Sequence, residues 1–279
     1  MDEAAESIAR ALSERFGESL SVDPSLPGLE DLARLAARRV CRRYAPREVP
    51  ADILRLLCAC ALSAPSKSDL QQADILIVRD KDRRGRIAGL MPQMPWLDEA
   101  PVFLLFLANG RRTPFVAELR GKPFPNDHLD LFFNATVDAG IVLATFVRAA
   151  EAVGLGCCPI SVIRDHIAAV SEFVGLPEKV IPIAGMALGW PAEEGALSPR
   201  LPLSVTVHEE RFDDSGLAAK VDAYDRRRVA TRPYRKQRDV ARFGEMDFYG
   251  WSEDKARQYA VPQRADFGAF VRKQGFHLD

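Results

Sequence analysis

From Asn134 to Val153 the chain runs for about five helical turns with almost no charge. Ile141, Leu143, Ala144, Phe146, Val147 and Ala150 cover more than one helical face, the pattern of a helix packed on several sides. Gly154-Leu155-Gly156 stops it, because glycine takes the left-handed cap conformation without a Cβ clash. Cys157–Ile160 then reads as a short buried strand, Arg164–Phe173 as a second helix, and Val180–Leu188 as a second strand ended by Gly189-Trp190-Pro191. Helix, strand, helix, strand is an α+β core layer, and a site is expected along its rim.

A chain of 279 residues can bury a real core, as one large domain or one domain with appendages. Its 47% hydrophobic and 28% charged residues are those of an ordinary globular protein. No apolar run reaches the roughly 20 residues of a membrane span. The start, Met1-Asp-Glu-Ala-Ala-Glu6, has neither the basic region nor the apolar core of a secretory signal. The expectation is a cytoplasmic protein with no membrane partner.

Cys41, Cys58, Cys60 and the pair Cys157-Cys158 contain no Cys-x-x-Cys spacing, and His128, His166, His208 and His277 are scattered. Neither a zinc site nor a metalloprotease helix is expected, and no metal is assigned. Cys58 and Cys60 read as buried small residues in an apolar helical run; a redox role is an alternative reading for Cys157-Cys158. Between Arg226 and Arg242 eight basic residues meet one acid, Asp239, a local charge of +7 that leaves −8 on the rest of a chain of net charge −1. A basic block on an acidic body favours a local phosphate or carboxylate site over nucleic-acid binding.

Ile8, Leu12, Phe16 and Leu20 give residues 2–20 one apolar face, and Pro24 and Pro27-Gly28 separate that helix from the next. The helix from Leu29 is expected to end in Arg38-Arg39-Val-Cys-Arg42-Arg43-Tyr44. A helix dipole accounts comfortably for one or two terminal arginines and poorly for four. An apolar helix from Asp52 to Leu62 runs into Ser63-Ala-Pro-Ser66-Lys67-Ser68-Asp69-Leu-Gln71-Gln72, in isolation read first as a solvated turn, yet a loop offering hydroxyls, amides and backbone N–H groups. Ala73–Arg79 reads as a strand, Asp80–Leu90 as a turn and a helix, Met91–Trp96 as an irregular loop, and Ala100–Ala108 as a buried central strand. Residues 109–127 form an excursion rich in Gly, Pro and Arg. Residues 198–212 form an extended arm with prolines that a central strand would not tolerate, of the kind that packs across a neighbouring subunit. Gly216–Arg228 and Phe267–Lys273 read as helices.

Several of these pieces stand in the order found in the flavin-dependent nitroreductases. They are Arg38-Arg39-x-x-Arg42, Ala64-Pro-Ser-Lys-Ser-Asp-Leu-Gln71, the Asp138–Gly156 helix, Leu188-Gly-Trp-Pro191, Pro199-Arg-Leu-Pro202 and Val207-His-Glu209. The set resembles the larger, NADPH-linked, oxygen-insensitive nitroreductases and flavin reductases. That resemblance implies a three-layer α+β sandwich with a central, mostly antiparallel sheet flanked by helices. It implies an interlocked homodimer with one FMN in each of two clefts between subunits. It divides the chain into an N-terminal helical appendage (1–27), an FMN-binding core (28–212) and a C-terminal helical extension with a basic loop (213–279).

The same resemblance implies roles for single residues. Arg38 and Arg39 lie near the FMN phosphate, Arg42 near the pyrimidine edge, and Arg200 reaches the phosphate from another side. Ser66, Lys67 and Ser68 come from the partner's loop; Gln93 and Pro159 also contact the cofactor, and Ile160 and Ser161 offer backbone N–H groups to the ring. Asp69 and Arg164 meet the substrate, and Arg235, Lys236 and Arg238 hold the 2′-phosphate of NADPH. No side-chain nucleophile is required, because the cofactor carries the reaction. The chain departs from the family pattern at Val40, Ser161-Val162, Ser198 and Asp69, and the acid at 69 disfavours anionic substrates. The implied activity takes hydride from NADPH and reduces nitroaromatics, quinones or flavin in two half-reactions. A reductive dehalogenase or flavin-destroying synthase of the same fold, and a flavin-binding protein without turnover, are the alternatives.

Overall fold

The computed structural model describes residues 3–279. Met1 and Asp2, the latter the expected start of the first helix, lie outside the described residues. In chain order the elements are α1 (Glu3–Phe16), α2 (Leu29–Ala36), α3 (Ala51–Leu62), β1 (Ala73–Val78), α4 (Lys81–Gly89), β2 (Val102–Asn109), α5 (Arg112–Leu119) and α6 (Leu129–Ala152). There follow β3 (Gly156–Ile160), α7 (Ile167–Val174), β4 (Val180–Gly189), α8 (Leu203–Thr206), α9 (Leu217–Thr231), α10 (Val240–Phe243), α11 (Trp251–Tyr259) and α12 (Phe267–Lys273). Contacts group the chain into two compact units: residues up to Arg39 with Ala196–Gln263, and Val40–Gly195 with Arg264–Asp279.

The second unit is built on a four-stranded sheet of order β1-β2-β4-β3 in which every neighbouring pair is antiparallel. From Val102 to Ala108 every residue of β2 is buried, so the strand is covered on both faces. The two-residue period sorts its side chains: Leu104, Phe106 and Ala108 join one core with α3 and α6, and Phe103, Leu105 and Leu107 join another with Ile87 of α4 and Val170 of α7. Helices on both faces of an antiparallel sheet make the expected three-layer α+β sandwich. Phe106 meets Phe146 of α6 edge to face, with ring centroids 5.7 Å apart and an interplanar angle of 74°.

α6 starts five residues earlier than the apolar pattern proposes, because the His128 side chain caps it by accepting from the Asp130 N–H at 3.3 Å. Its end is as expected: Gly154 takes φ 82° and the Leu155 N–H returns to the Ala150 carbonyl at 3.0 Å. Gly156 is required by close approach, since a Cβ there would sit 2.5 Å from that of Cys41. Among the described residues α6 is the one helix long and apolar enough to cross a membrane, yet Ala135, Ala139, Phe146 and Ala150 are fully buried in the core. Leu129, Phe133 and Val137, on its other side, are exposed.

Several expectations need correction. The helix expected from Arg164 begins as a 3-10 turn, Val162–His166, before α7 proper. The 109–127 excursion contains α5, and α11 lies where no helix is expected. Cys60 is exposed and Cys58 only half-buried, because α3 turns Leu54, Leu57 and Ala61 toward the core. None of the five cysteines forms a disulfide.

In the first unit α1 and α2 pack through Ala5, Ile8, Ala11, Leu29 and Ala36, joined by Leu197. The 198–212 arm is irregular apart from the single turn of α8. Buried Asp225 of α9 fastens the start of α11 by accepting from the Ser252 N–H at 3.0 Å and from its hydroxyl.

Truncating the central aromatic contact tests this account. Phe146→Ala is expected to cost about 3–5 kcal/mol, read as a lower urea midpoint, whereas the exposed Phe133→Ala leaves the monomer's midpoint nearly unchanged.

Candidate functional site

In the first unit the guanidinium of Arg15 lies within electrostatic reach of Arg38, Arg39 and Arg200. Arg15, near the end of α1, is 9% exposed and donates to the carbonyls of Ala36 (3.1 Å), Arg38 (2.6 Å) and Ser198 (3.1 Å). Its carbonyl accepts the Arg200 N–H at 2.7 Å. These bonds draw the segment after α2 and the Ser198-Pro199-Arg200 segment to one place. Burial, and then the neighbouring charges of Arg200, Arg38 and Arg39, push the pKa of Arg15 below the usual guanidinium value, with Glu14 acting the other way. Charges close enough to repel one another in this way form an electropositive locus suited to a dianion.

The local chain explains the placement. α2 ends at Ala36 with a cap at Ala37, so Arg38 and Arg39 leave the helix instead of crowning it as expected. Arg39 donates to the Ala37 carbonyl at 3.2 Å. Pro199 and Pro202 keep the Arg200 segment out of regular structure. Arg15 was not singled out by sequence reasoning; its signal is a cation among the buried positions of an amphipathic helix.

The C-terminal part of this unit accounts for most of the basic block. Arg227 donates to the carbonyls of Arg15 (3.3 Å) and Arg200 (2.5 Å), and Arg232 to that of Leu197 (2.6 Å). Arg228 lies 4.7 Å over the ring of Tyr234. Arg238 pairs with Asp254 at 2.9 Å, a carboxylate 1% exposed that also accepts from the Tyr249 hydroxyl at 3.1 Å. The charge of the block therefore falls largely on carbonyls, a ring and a buried acid rather than on a free anion. α9 ends at Thr231 before Pro233, and Arg235 and Lys236 stand exposed on the irregular segment that follows.

In the second unit, exposed Arg42 lies 5.7 Å over the ring of Trp96, and exposed Gln93 sits in the turn just before it. Pro159 and Ile160 end β3 opposite Met186 and Gly185, and Ile160 is buried. Ser161 is exposed at the start of the 3-10 turn, and Arg164 within that turn donates to the Ile183 carbonyl.

Residues 63–66, Asp69, Gln71 and Gln72 of the 63–72 loop border a cavity of about 720 Å³ together with Asp74, Arg112, Asp138 and Val142. Ser66 donates to Asp138 at 2.8 Å, and Lys67 pairs with Asp130 at 3.1 Å. Asp69 is exposed and accepts from the Gln71 amide at 3.1 Å. Arg112 binds the Gln71 carbonyl and pairs with Asp74 at 2.5 Å. Asp138, 2% exposed, has no role in the sequence reading. Its signal was available: it is the single acid in the apolar middle of α6.

A model of the nitroreductase family matches residues 35–190, and one of the nitroreductase family C-terminal domain matches residues 198–279. The FMN reductase [NAD(P)H] of Bacillus subtilis is 32% identical over 90% of this chain and 99% of its own length. The oxygen-insensitive NADPH nitroreductase of Salmonella typhimurium is 28% identical over 87% of this chain and 96% of its own. The structure of NfrA2 from B. megaterium superimposes with a TM-score of 0.80 at 31% identity, covering 90% of this chain and 99% of that one.

The Arg15 arrangement makes a stability prediction. Arg15→Met keeps the apolar stem and removes the donors, leaving three carbonyls without their partner. A loss of about 1–3 kcal/mol is expected, seen as a lower unfolding midpoint than in an Arg10→Met control.

Proposed function

The chain belongs to the nitroreductase family, and on that premise we propose that it is an FMN-dependent oxidoreductase that takes hydride from NADPH and reduces nitroaromatic, quinone or flavin acceptors. The observation that carries the cofactor assignment is that hydrogen bonds of Arg15 draw the Arg38-Arg39 segment and the Ser198-Pro199-Arg200 segment together within one unit. Guanidinium keeps its proton and offers a planar set of donors, so this group of residues fits a phosphate dianion. FMN, when bound, supplies the centre that accepts hydride from the donor and passes it to the acceptor.

The chain's own residues bind and orient. Arg38, Arg39 and Arg200 are assigned to the phosphate, with Arg15 holding their segments from behind. Arg42, already seated over Trp96, is assigned to the pyrimidine edge, where a fixed cation stabilises negative charge. Ser66, Lys67, Ser68, Gln93, Pro159, Ile160 and Ser161 are assigned to the remaining cofactor contacts, and Arg164 and Asp69 to the substrate. An exposed acid on the cavity wall disfavours anionic acceptors. The exposed apolar side of α6, with Leu129, Phe133 and Val137, supports a homodimer through that face. The reading places the enzyme in the cytoplasm, where reduced nicotinamide is at hand.

The purified protein is expected to be a yellow dimer with one FMN per subunit. Arg200→Ala is expected to weaken FMN by about ten- to a hundredfold on removal of one charge-assisted contact, measured by titrating apoprotein. A colourless monomer indifferent to added FMN overturns the reading, and unchanged affinity in Arg200→Ala removes that residue from the site.

Donor preference is assigned to the exposed Arg235 and Lys236, with Arg238, also exposed but paired with Asp254, as a third contact. Changing Arg235 and Lys236 together to Ala is expected to raise the KM for NADPH while KM for NADH and bound FMN stay nearly constant. Arg238→Ala is expected in addition to lower thermal stability, because it takes a partner from buried Asp254. Retention of the NADPH preference in the double variant refutes the assignment.

A further inference from the structure

The loop from Ser66 to Gln72 holds an uncommon backbone. Ser68, Asp69 and Gln71 have φ of 48°, 56° and 52°, in the left-handed region that non-glycine residues seldom occupy. A loop with three such residues keeps one shape only where its surroundings over-determine it. Beside Arg112 on the Gln71 carbonyl and Asp130 on Lys67, the hold comes from one carboxylate. Asp138 Oδ1 accepts the Lys67 N–H at 3.1 Å, and Oδ2 accepts the Ser66 hydroxyl at 2.8 Å and the Gln72 N–H at 3.3 Å. The Ser66 Oγ in turn accepts the Gln71 N–H at 2.8 Å. Asp138 thus closes the loop from both ends, directly at Ser66, Lys67 and Gln72 and through Ser66 at Gln71.

The loop's polar groups fall into two sets. The Ser66 hydroxyl is engaged both as donor and as acceptor, and the Lys67 ammonium is paired with Asp130 at 3.1 Å. The Ser68 hydroxyl is exposed and has no hydrogen bond among the described residues. We infer that Asp138 is the positioning residue of the flavin-facing loop, that Ser66 is its relay, and that Ser68 presents the loop's ligand-facing hydroxyl. The inference rests on the reading that this loop meets FMN, and it moves Ser66 from cofactor contact to support. A carboxylate is required because every group facing it is a donor. An amide at 138 would turn its own N–H₂ toward one of them.

The test uses the full chain as apoprotein, with two readouts. Hydrogen exchange at the amides of Lys67, Gln71 and Gln72 reports the hold on the loop, and titration with FMN reports its use. Asp138→Asn and Ser66→Ala are each expected to speed exchange at these amides and to raise the FMN dissociation constant about tenfold, the effect of one such bond. The double variant is expected to lose no more than the worse single one, because both break one network. Ser66→Thr, which keeps a hydroxyl, is expected to restore both readouts. Ser68→Ala is expected to weaken FMN with exchange unchanged.

Wild-type exchange in both Asp138→Asn and Ser66→Ala overturns the positioning role, and Ser66→Ala decides it alone if Asp138→Asn does not fold. Unchanged FMN affinity in Ser68→Ala overturns the assignment of that hydroxyl. If wild-type apoprotein takes up no FMN, the functional reading and the Ser68 assignment fall together, while exchange still decides whether Asp138 holds the loop.

Discussion

The sheet-bearing unit depends on the packing of α6 against β2, with the Phe146 ring set edge-on to Phe106. That contact fixes the rotation of a 24-residue helix about its own axis. With Phe146, Ala139 and Ala135 turned to the sheet, Asp138 falls beneath the Ser66–Gln72 loop and Phe133 and Val137 face outward. One rotational setting therefore decides the core, the support of the loop and the apolar face left exposed. Interiors are packed too densely for that setting to drift.

The unit containing α1 solves a similar problem with a cation. It buries Arg15 and uses its donors to gather carbonyls from the end of α2 and from the Ser198 segment. The arrangement brings Arg38, Arg39 and Arg200 close to Arg15, whose pKa burial lowers first and their charges lower further. Like charges kept close by backbone bonds are preorganised for an anion, because little ordering is left to be done on binding.

Both units also separate polar groups that hold the chain from polar groups that remain available. Arg227, Arg232 and Arg238 serve carbonyls and a buried carboxylate, whereas Arg235 and Lys236 project. Ser66 is engaged twice and Ser68 not at all among the described residues. Residue type alone does not distinguish the members of these pairs.

The sequence by itself determined the α+β class, the uncharged central helix, the buried strands and the family, because periodicity and glycine stops are local and ordered motifs survive in one dimension. It also marked the arginines, the Ser-rich loop and the basic block as chemistry-bearing. It did not reveal the role of Asp138 or Arg15, the real end of α2 at Ala36, or the fastening of Arg238 to Asp254. Each of these is a hydrogen bond or ion pair between residues distant along the chain or turned by a helix rotation, and only tertiary packing brings donor to acceptor. A charged residue in a sequence states what it can bind; the fold decides whether its partner is the protein itself or a ligand.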